Sequence, residues 1–284
     1  MLSYRHAFHA GNHADVLKHC ALLGALERMA RKETPFLYVD THAGAGAYRL
    51  EEGYAAQNRE WEGGAAALAR AVVAPLPLAL SRYLHAIDGF RRGEGRGDAY
   101  PGSPSLAMAA LRPQDRAAFF ELHGADFELL LTRYRDERRV RCARSNGFAS
   151  LKALLPPPSR RALILMDPSY ELGTDYDAVV AAVDEGLKRL ANAVILVWYP
   201  LLARPEARAL PDALAATAAR RDRPWIDARL SVEPLVDGAR GMSGSGVFIA
   251  NPGYGLAEEL AEALPVLAAA FGPKGDHILR RGGD

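Results

Sequence analysis

The strongest constraint on the fold is a set of short apolar segments that alternate with amphipathic helical segments along the 284 residues. Residues 35–40 read PFLYVD, residues 117–123 read AAFFELH, residues 161–170 read RALILMDPSY and residues 192–200 read NAVILVWYP. Strands that are apolar on both faces are typical of a parallel sheet covered by helices on both sides. The pattern therefore predicts an α/β fold with a mostly parallel sheet.

Other segments predict how the chain is organised around that sheet. Apolar spacing indicates a helix from Asn12, a candidate N-cap, to about Arg31. Residues 51–100 are dominated by Glu, Ala and Arg, which favours a helical insertion, so the main domain comprises residues 1–50 and 101–284. Near the C-terminus, ARLSVEPLV and GSGVFIANP have no helical segment between them. They predict an antiparallel pair at the sheet edge.

Composition limits the classes of function. Lys plus Arg number 35 against 34 Asp plus Glu, so any contact with nucleic acid has to be a local patch. Cys20 and Cys142 are too few for a disulfide framework, and the polar, histidine-rich start does not resemble a signal peptide. No apolar run approaches the roughly 20 residues of a membrane span. We expect a cytoplasmic protein with no membrane partner.

The segment VDTHAGAG places Gly44 and Gly46 in a tight turn directly after a predicted strand. Glycines at this position let the backbone approach a ligand closely, beyond the carboxyl end of a parallel strand. The third small residue of the dinucleotide fingerprint is absent because Arg49 occupies its place, which disfavours a nicotinamide cofactor. The simpler alternative is a turn that needs small residues only for packing.

The segment DPSY follows another predicted strand and suits chemistry on an exocyclic amine. Such an amine is a poor nucleophile, because its lone pair is delocalised into the ring. The Asp167 carboxylate and the Pro168 carbonyl can accept hydrogen bonds from the amine, and the Tyr170 ring can stack on an extruded base. A strand that simply ends in an Asp-Pro turn is the alternative.

Two further strand ends carry candidate cofactor ligands. Glu121 follows AAFF, where an acid accepts ribose hydroxyls in nucleoside-binding α/β folds. It lies much further along the chain than the usual ~20 residues, which the insertion explains. Asn146 and Gly147 follow the next strand, where an amide can bind an adenine edge. Alternatively, Glu121 merely caps the next helix.

The start of the chain combines histidines with cations and an aromatic residue. Tyr4, Arg5 and Lys18 favour contact with RNA phosphates and bases. His9 and His13 are spaced to share one helical face, but no third ligand is near them, so we expect no metal. Solvated polar residues at a flexible terminus are the simpler alternative.

These segments together resemble a known enzyme family. The matching segments are LSYRHAFHAGNHADVLKH, FLYVDTHAGAGAY, YPGSP, ELH, NGF, DPSYE with TDY, LVWYP and GMSGSG. Over nearly its whole length the chain is similar to bacterial 23S ribosomal RNA adenine-N6 methyltransferases of the RlmJ type. The resemblance implies a Rossmann-like class I methyltransferase domain with a small inserted helical subdomain.

The resemblance also implies a cofactor, a partner and residue roles. The cofactor is S-adenosyl-L-methionine, converted to S-adenosyl-L-homocysteine, and the partner is 23S ribosomal RNA, either protein-free or early in assembly. Asp167 has the central catalytic role, Tyr4 contacts the RNA, and a monomer is expected. The implied cofactor contacts are His19, His42, Ser103, Glu121, Asn146, Gly147 and Asp167.

The chain departs from the family pattern at two positions. Ser169 stands where the family has a second proline in its DPPY tetrad, and Asn146 stands where the family carries an acid. Two alternative functions stay open. One is methylation of adenine in DNA, because the same tetrad serves both polymers. The other is a non-catalytic RNA-binding factor for ribosome assembly, which the serine would favour.

Overall fold

The apolar segments form one eight-stranded sheet in a computed structural model that describes residues 5–71, 75–238 and 241–283. A separate two-stranded ribbon consists of β2 and β3. The strands are β1 (Leu37–Asp40), β2 (Ala47–Arg49), β3 (Ala99–Pro101), β4 (Arg116–Phe120), β5 (Val140–Ala143), β6 (Ala162–Met166), β7 (Val194–Leu201), β8 (Trp225–Ser231), β9 (Gly244–Ala250) and β10 (Asp276–Gly282).

The helices pack in two groups around this sheet. Helix α1 contacts α4, α5 and α10, whereas α8 contacts both α7 and α9. The helices are α1 (His13–Ala30), α2 (Gly53–Asn58), α3 (Ala65–Ala71), α4 (Leu78–Glu94), α5 (Ser103–Ala110), α6 (Gly124–Tyr134), α7 (Gly147–Leu154), α8 (Thr174–Arg189), α9 (Pro205–Arg220) and α10 (Leu256–Ala270), with short 3-10 helices at His6–Phe8 and Glu60–Glu62.

The strand order creates a crevice beside the ends of β1 and β6. The order is β10-β8-β9-β7-β6-β1-β4-β5, and β7, β6, β1, β4 and β5 are mutually parallel. After β1 the chain builds outward through β4 and β5, and from β6 it builds in the opposite direction. Ligands bind at such a switch point, beyond the carboxyl ends of the strands. The predicted α/β class with a mostly parallel sheet is confirmed.

The sheet edge differs from the prediction at the C-terminal end. Strands β8 and β9 are antiparallel, as expected, but β10 pairs with β8 and is the outermost strand. The predicted position of the β8–β9 pair at the edge is therefore wrong. The segment DHILRRG lacks a buried face, because most of its residues are exposed or half-buried, so its apolar pattern is too weak to indicate a strand.

Helix α1 is buried on almost every side, although its sequence predicts an amphipathic helix. The Asn12 side chain accepts a hydrogen bond from the Asp15 backbone N–H, which confirms the predicted N-cap. Lys18 and His19 are buried together with the apolar residues, because the helix lies between the sheet and α4, α5 and α10. A buried charge in a helix needs partners of opposite charge. Lys18 has two, Asp15 and Asp167, and they belong to the candidate active site.

The segment 51–100 follows β2, contains helices α2, α3 and α4, and ends within β3, the second strand of the ribbon. Helix α4 packs on α1 and α10, and Arg82 of α4 pairs with Glu259 of α10. The segment therefore packs on helices that cover the main sheet, and its treatment as a separate insertion subdomain stays a prediction. Within residues 5–71, 75–238 and 241–283, no helix combines the length and apolarity needed to cross a membrane.

The close packing of α7 on the end of β1 gives a test of the fold. A Cβ on Gly147 would lie 2.4 Å from the Thr41 carbonyl oxygen. We expect Gly147→Ala to lower the free energy of unfolding by about 1–3 kcal/mol, because the backbone has to shift. Gly89→Ala, in α4 with nothing within 4 Å, should instead raise it by about 0.5–1 kcal/mol. Urea unfolding measures both, and equal effects would contradict the packing.

Candidate active site

Two clefts meet at the crevice between β1 and β6. The first has a volume of about 330 Å³ and the second about 190 Å³. His6, Asp167 and Ser169 line both of them. The residue directly after β6 therefore presents its carboxylate at the junction of two cavities, where one bound molecule can meet another.

The Asp167 carboxylate is held from behind by a buried ammonium group. Lys18 Nζ donates to Asp167 Oδ2 at 2.5 Å and lies 2.7 Å from Asp15 Oδ1. All three side chains are at most 5 % exposed. Burial alone would lower the pKa of Lys18, but the charges of Asp15 and Asp167 outweigh it and raise that pKa. The ammonium stays charged and fixes the direction of the carboxylate.

Asp15 is the second anchor of this cluster. It accepts hydrogen bonds from the Gly11 backbone N–H at 2.9 Å and from His6 Nε2 at 2.9 Å. Burial raises the pKa of Asp15, but the charges of His6 and Lys18 outweigh it and hold that pKa well below 3.8. His6 Nδ1 in turn lies 3.9 Å from Asp167 Oδ2. The N-terminal segment is thereby tied to the end of β6.

The first cleft is rich in carboxylates. Glu121 accepts hydrogen bonds from the backbone N–H groups of Gly44 at 2.8 Å and His123 at 2.6 Å. Burial nevertheless raises its pKa. The acids that line the cleft are Glu121, Asp126, Asp167, Glu171 and Asp175. Such a wall favours a ligand that carries positive charge and disfavours phosphate groups.

His42 and Asn146 complete this wall. The His42 ring packs edge-on against Phe148 with ring centroids 4.8 Å apart, and its Nδ1 lies 2.8 Å from Thr41 Oγ1. Burial lowers the pKa of His42 to about 4, so its imidazole is neutral near pH 7. Asn146 lines the cleft and caps α7, because its Oδ1 accepts from the Ala149 N–H at 3.1 Å.

Several of the residues predicted to contact the cofactor are buried in the protein and do not line the first cleft. Ser103 Oγ donates to buried Asp40 at 2.6 Å, and Gly147 packs under Thr41. His19 is fully buried beside Tyr100, and burial lowers its pKa to about 3. The predicted residues that line the first cleft are His42, Gly44, Glu121, Asn146, Asp167 and Pro168, whereas His19, Gly46, Ser103 and Gly147 are outside its lining.

The second cleft is walled by apolar side chains. Its lining includes Trp198, Pro200, Leu202 and Met242, opposite the polar N-terminal residues. Tyr170 of the DPSY segment is only 2 % exposed and lines neither cleft. Its hydroxyl donates to the Trp198 carbonyl at 2.8 Å, and the two ring centroids are 6.0 Å apart. Of these two residues, Trp198 and not Tyr170 contributes to the wall of the second cleft.

The residues expected to contact RNA have different environments. Tyr4 lies outside the described residues. The Arg5 guanidinium lies 4.6 Å from the centroid of the Tyr54 ring, on the insertion. Lys18 is buried and engaged with carboxylates, so its ammonium faces the second cleft and not an open surface.

Some functional positions were not identified from the sequence. Asp15 sits three residues before Lys18 in α1, and that i, i+3 spacing was a usable signal for an ion pair. Trp198 and Met242 were recognised only as parts of LVWYP and GMSGSG. In the parts of the chain that the structure describes, no group of three or more His, Cys, Asp or Glu residues could hold a metal ion.

Comparison with known proteins identifies the family. The family model described as "Ribosomal RNA large subunit methyltransferase D, RlmJ" matches residues 33–281. The chain belongs to this family. Two proteins named Ribosomal RNA large subunit methyltransferase J, from Escherichia coli (strain K12) and Haemophilus influenzae, are 42% and 41% identical over 275 residues. These residues cover 97% of this chain and 96% of each relative.

A solved structure agrees with the family assignment. Protein LPL1258 from Legionella pneumophila str. Philadelphia 1 has a TM-score of 0.83 and 30% sequence identity to this chain. The match covers 96% of this chain and 98% of that one. The resemblance inferred from the motifs is confirmed, and so is the prediction that the chain is a methyltransferase.

The buried ion pairs of the site give a stability test. We expect Lys18→Met to lower the free energy of unfolding by about 3–5 kcal/mol at pH 7, because two buried carboxylates lose their cation. Because the pKa of Asp15 is depressed, its contribution is present above pH 3.8 and is lost as the pH falls through the depressed value. The deficit of the variant should therefore shrink at acidic pH.

Urea unfolding at several pH values measures that deficit. Lys188→Met, at an exposed position of α8, is the matched control and should change stability by less than about 0.5 kcal/mol. A deficit for Lys18→Met that is equally small would show that the cluster does not stabilise the fold, and a large deficit that does not depend on pH would show that the carboxylate charge is not its cause.

Proposed function

We propose that this protein transfers a methyl group from S-adenosylmethionine to the N6 of one adenine in 23S ribosomal RNA. The observation that carries the proposal is the Asp167 carboxylate, fixed by Lys18 at the junction of an acid-lined cleft and an apolar cleft. Its family relatives, named as ribosomal RNA large subunit methyltransferases, support the choice of substrate.

The first cleft fits the cofactor in its charge and in the polar groups on its wall. S-adenosylmethionine, when bound, supplies a methyl carbon made electrophilic by a positively charged sulfur. Glu121 is already held by two backbone N–H groups and retains lone pairs for ribose hydroxyls. Asn146 is suited to the adenine edge, and neutral His42 with Gly44 to the methionine portion.

The second cleft fits the substrate base. An adenine has to leave its stack to be methylated, and a flipped base is held between aromatic or apolar side chains and polar groups. Trp198 and Met242 offer the apolar surface, and Asp167 offers the acceptor. The small, largely apolar cavity suits one purine ring better than the cofactor.

Asp167 acts by orienting the amine. Its carboxylate accepts a hydrogen bond from the exocyclic N–H, the Pro168 carbonyl accepts the other, and the nitrogen lone pair is directed toward the first cleft. Lys18 holds the carboxylate in one position, which is the main requirement of a displacement that depends on alignment. Formation of the nitrogen–methyl bond would break the carbon–sulfur bond and leave neutral S-adenosylhomocysteine, and the methylated amine would then release one proton to solvent.

The proposal extends to the setting of the reaction. A cytoplasmic monomer that acts on 23S RNA is part of this proposal. A flipped base is most accessible in RNA that is protein-free or at an early stage of assembly.

A direct transfer assay tests this function. Purified protein is incubated with S-adenosylmethionine and with protein-free 23S RNA or duplex DNA, and the nucleosides are analysed by mass spectrometry. We expect N6-methyladenosine from the RNA and little product from the DNA. Product from duplex DNA alone would identify a DNA methyltransferase. Absence of cofactor binding in calorimetry would favour a non-catalytic assembly factor.

The role of Asp167 yields a separate prediction. Asp167→Asn keeps the size of the side chain and an oxygen for Lys18, but an uncharged acceptor orients the amine poorly. We expect the transfer rate to fall on the order of 100-fold or more. Cofactor affinity should change much less than the transfer rate, because Glu121, His42 and Asn146 also line the first cleft. Asp222→Asn, at a fully exposed side chain, is the control. An Asp167→Asn enzyme with the wild-type rate would refute the role.

A further inference from the structure

The carboxylate of Glu60 connects the predicted insertion to the start of α1. Glu60 lies in the short 3-10 helix Glu60–Glu62, between α2 and α3. It accepts hydrogen bonds from His9 Nδ1 at 2.9 Å and from Asn12 Nδ2 at 3.0 Å. Burial lowers the pKa of His9, but the Glu60 carboxylate outweighs it and raises that pKa. Both donors also line the second cleft.

Asn12 connects Glu60 to the buried ion pairs of Asp15, Lys18 and Asp167. Its amide N–H₂ bonds to Glu60, and its Oδ1 accepts from the Asp15 backbone N–H at 2.9 Å. The orientation of one amide is therefore fixed from two sides, since a flip would break both bonds. Asp15 then holds Lys18, and Lys18 holds Asp167.

The backbone around Gly11, just before α1, also packs closely against the backbone of residues 61–65. The Ala65 N–H donates to the Gly11 carbonyl at 2.8 Å, and a Cβ on Gly64 would lie 2.2 Å from the same oxygen. The Trp61 Cβ lies 3.0 Å from the position of a Cβ on Gly11. The contact of Glu60 with α1 is therefore part of a closely fitted surface, and a change there is transmitted to the first turn of α1.

We propose that Glu60 is a positioning residue for methyl transfer. From the insertion it fixes Asn12 and the first turn of α1. Through that turn it sets the direction of the Asp167 carboxylate, 2.5 Å from Lys18. The inference rests on the proposed function of Asp167. It assigns the insertion a part in the chemistry itself, independent of contact with RNA.

A swap of donor and acceptor tests this link. Asn12→Asp keeps an oxygen for the Asp15 N–H but places a second carboxylate against Glu60. In the double variant with Glu60→Gln, the amide at position 60 donates to the carboxylate at position 12. The hydrogen bond is therefore restored with donor and acceptor exchanged. Glu62→Ala is the matched control, because Glu62 is in the same short helix and pairs only at the surface with Arg59. Each variant is assayed as the full chain.

The measurements are kcat on protein-free 23S RNA, the Kd for S-adenosylmethionine by calorimetry, and hydrogen exchange of residues 11–18. We expect Glu60→Ala and Asn12→Asp each to lower kcat about 10-fold, because Asp167 is displaced, with the cofactor Kd within about 2-fold. Exchange of residues 11–18 should become faster in both. The double variant should return kcat to within about 3-fold of wild type, since the two positions are coupled.

Two results would overturn the inference. One is a wild-type kcat for Glu60→Ala. The other is a double variant no more active than Asn12→Asp alone, which would show that the bond between the two side chains is not what matters. The wild-type protein in the same assay tests the proposed function separately, so failure of that function is distinguishable from failure of the role of Glu60.

Discussion

The site depends on one buried ammonium group, that of Lys18, placed between the carboxylates of Asp15 and Asp167. A buried charge is tolerated only when it is paired and hydrogen-bonded, so the ammonium group needs the carboxylates and each carboxylate needs the ammonium group. This requirement joins α1, near the start of the chain, to the end of β6, which the sheet holds rigidly. The carboxylate that faces the clefts is therefore oriented before any ligand arrives, and the orientation is independent of side-chain flexibility at the surface.

The two clefts differ in the way the proposed reaction requires. Carboxylates on the wall of the first cleft repel phosphate and favour a cationic ligand, whereas the wall of Trp198 and Met242 favours a flat apolar ring. In the proposed reaction, the acids of the first cleft would attract the cationic cofactor and the apolar wall of the second would take the base. The formal net charge of +1 gives the chain no strong overall attraction to RNA. Glu60, in the segment 51–100, accepts a hydrogen bond from Asn12 just before α1, and this is the contact through which we propose that it positions Asp167.

Much of the fold could be predicted from the sequence, because the doubly buried strands, the N-cap Asn12 and the polar strand ends are local patterns. Asp167, Glu121 and Asn146 were found in this way, and all three line the first cleft. Strand β10 was missed because it is largely exposed and has no apolar alternation. Lys18 was assigned to RNA, since sequence alone does not reveal that tertiary packing buries α1 on almost every side. Tyr170 was assigned a stacking role, although its backbone turns with φ of 53° and its ring packs behind Trp198.

The most direct test is a crystal structure of the protein with S-adenosylhomocysteine and adenosine monophosphate. We predict that the purine lies against Trp198 in the second cleft, that its exocyclic nitrogen is within hydrogen-bonding distance of Asp167, and that the bond between Asp167 and Lys18 is intact. A purine bound elsewhere, or an Asp167 carboxylate turned away from the junction of the two clefts, would contradict this prediction.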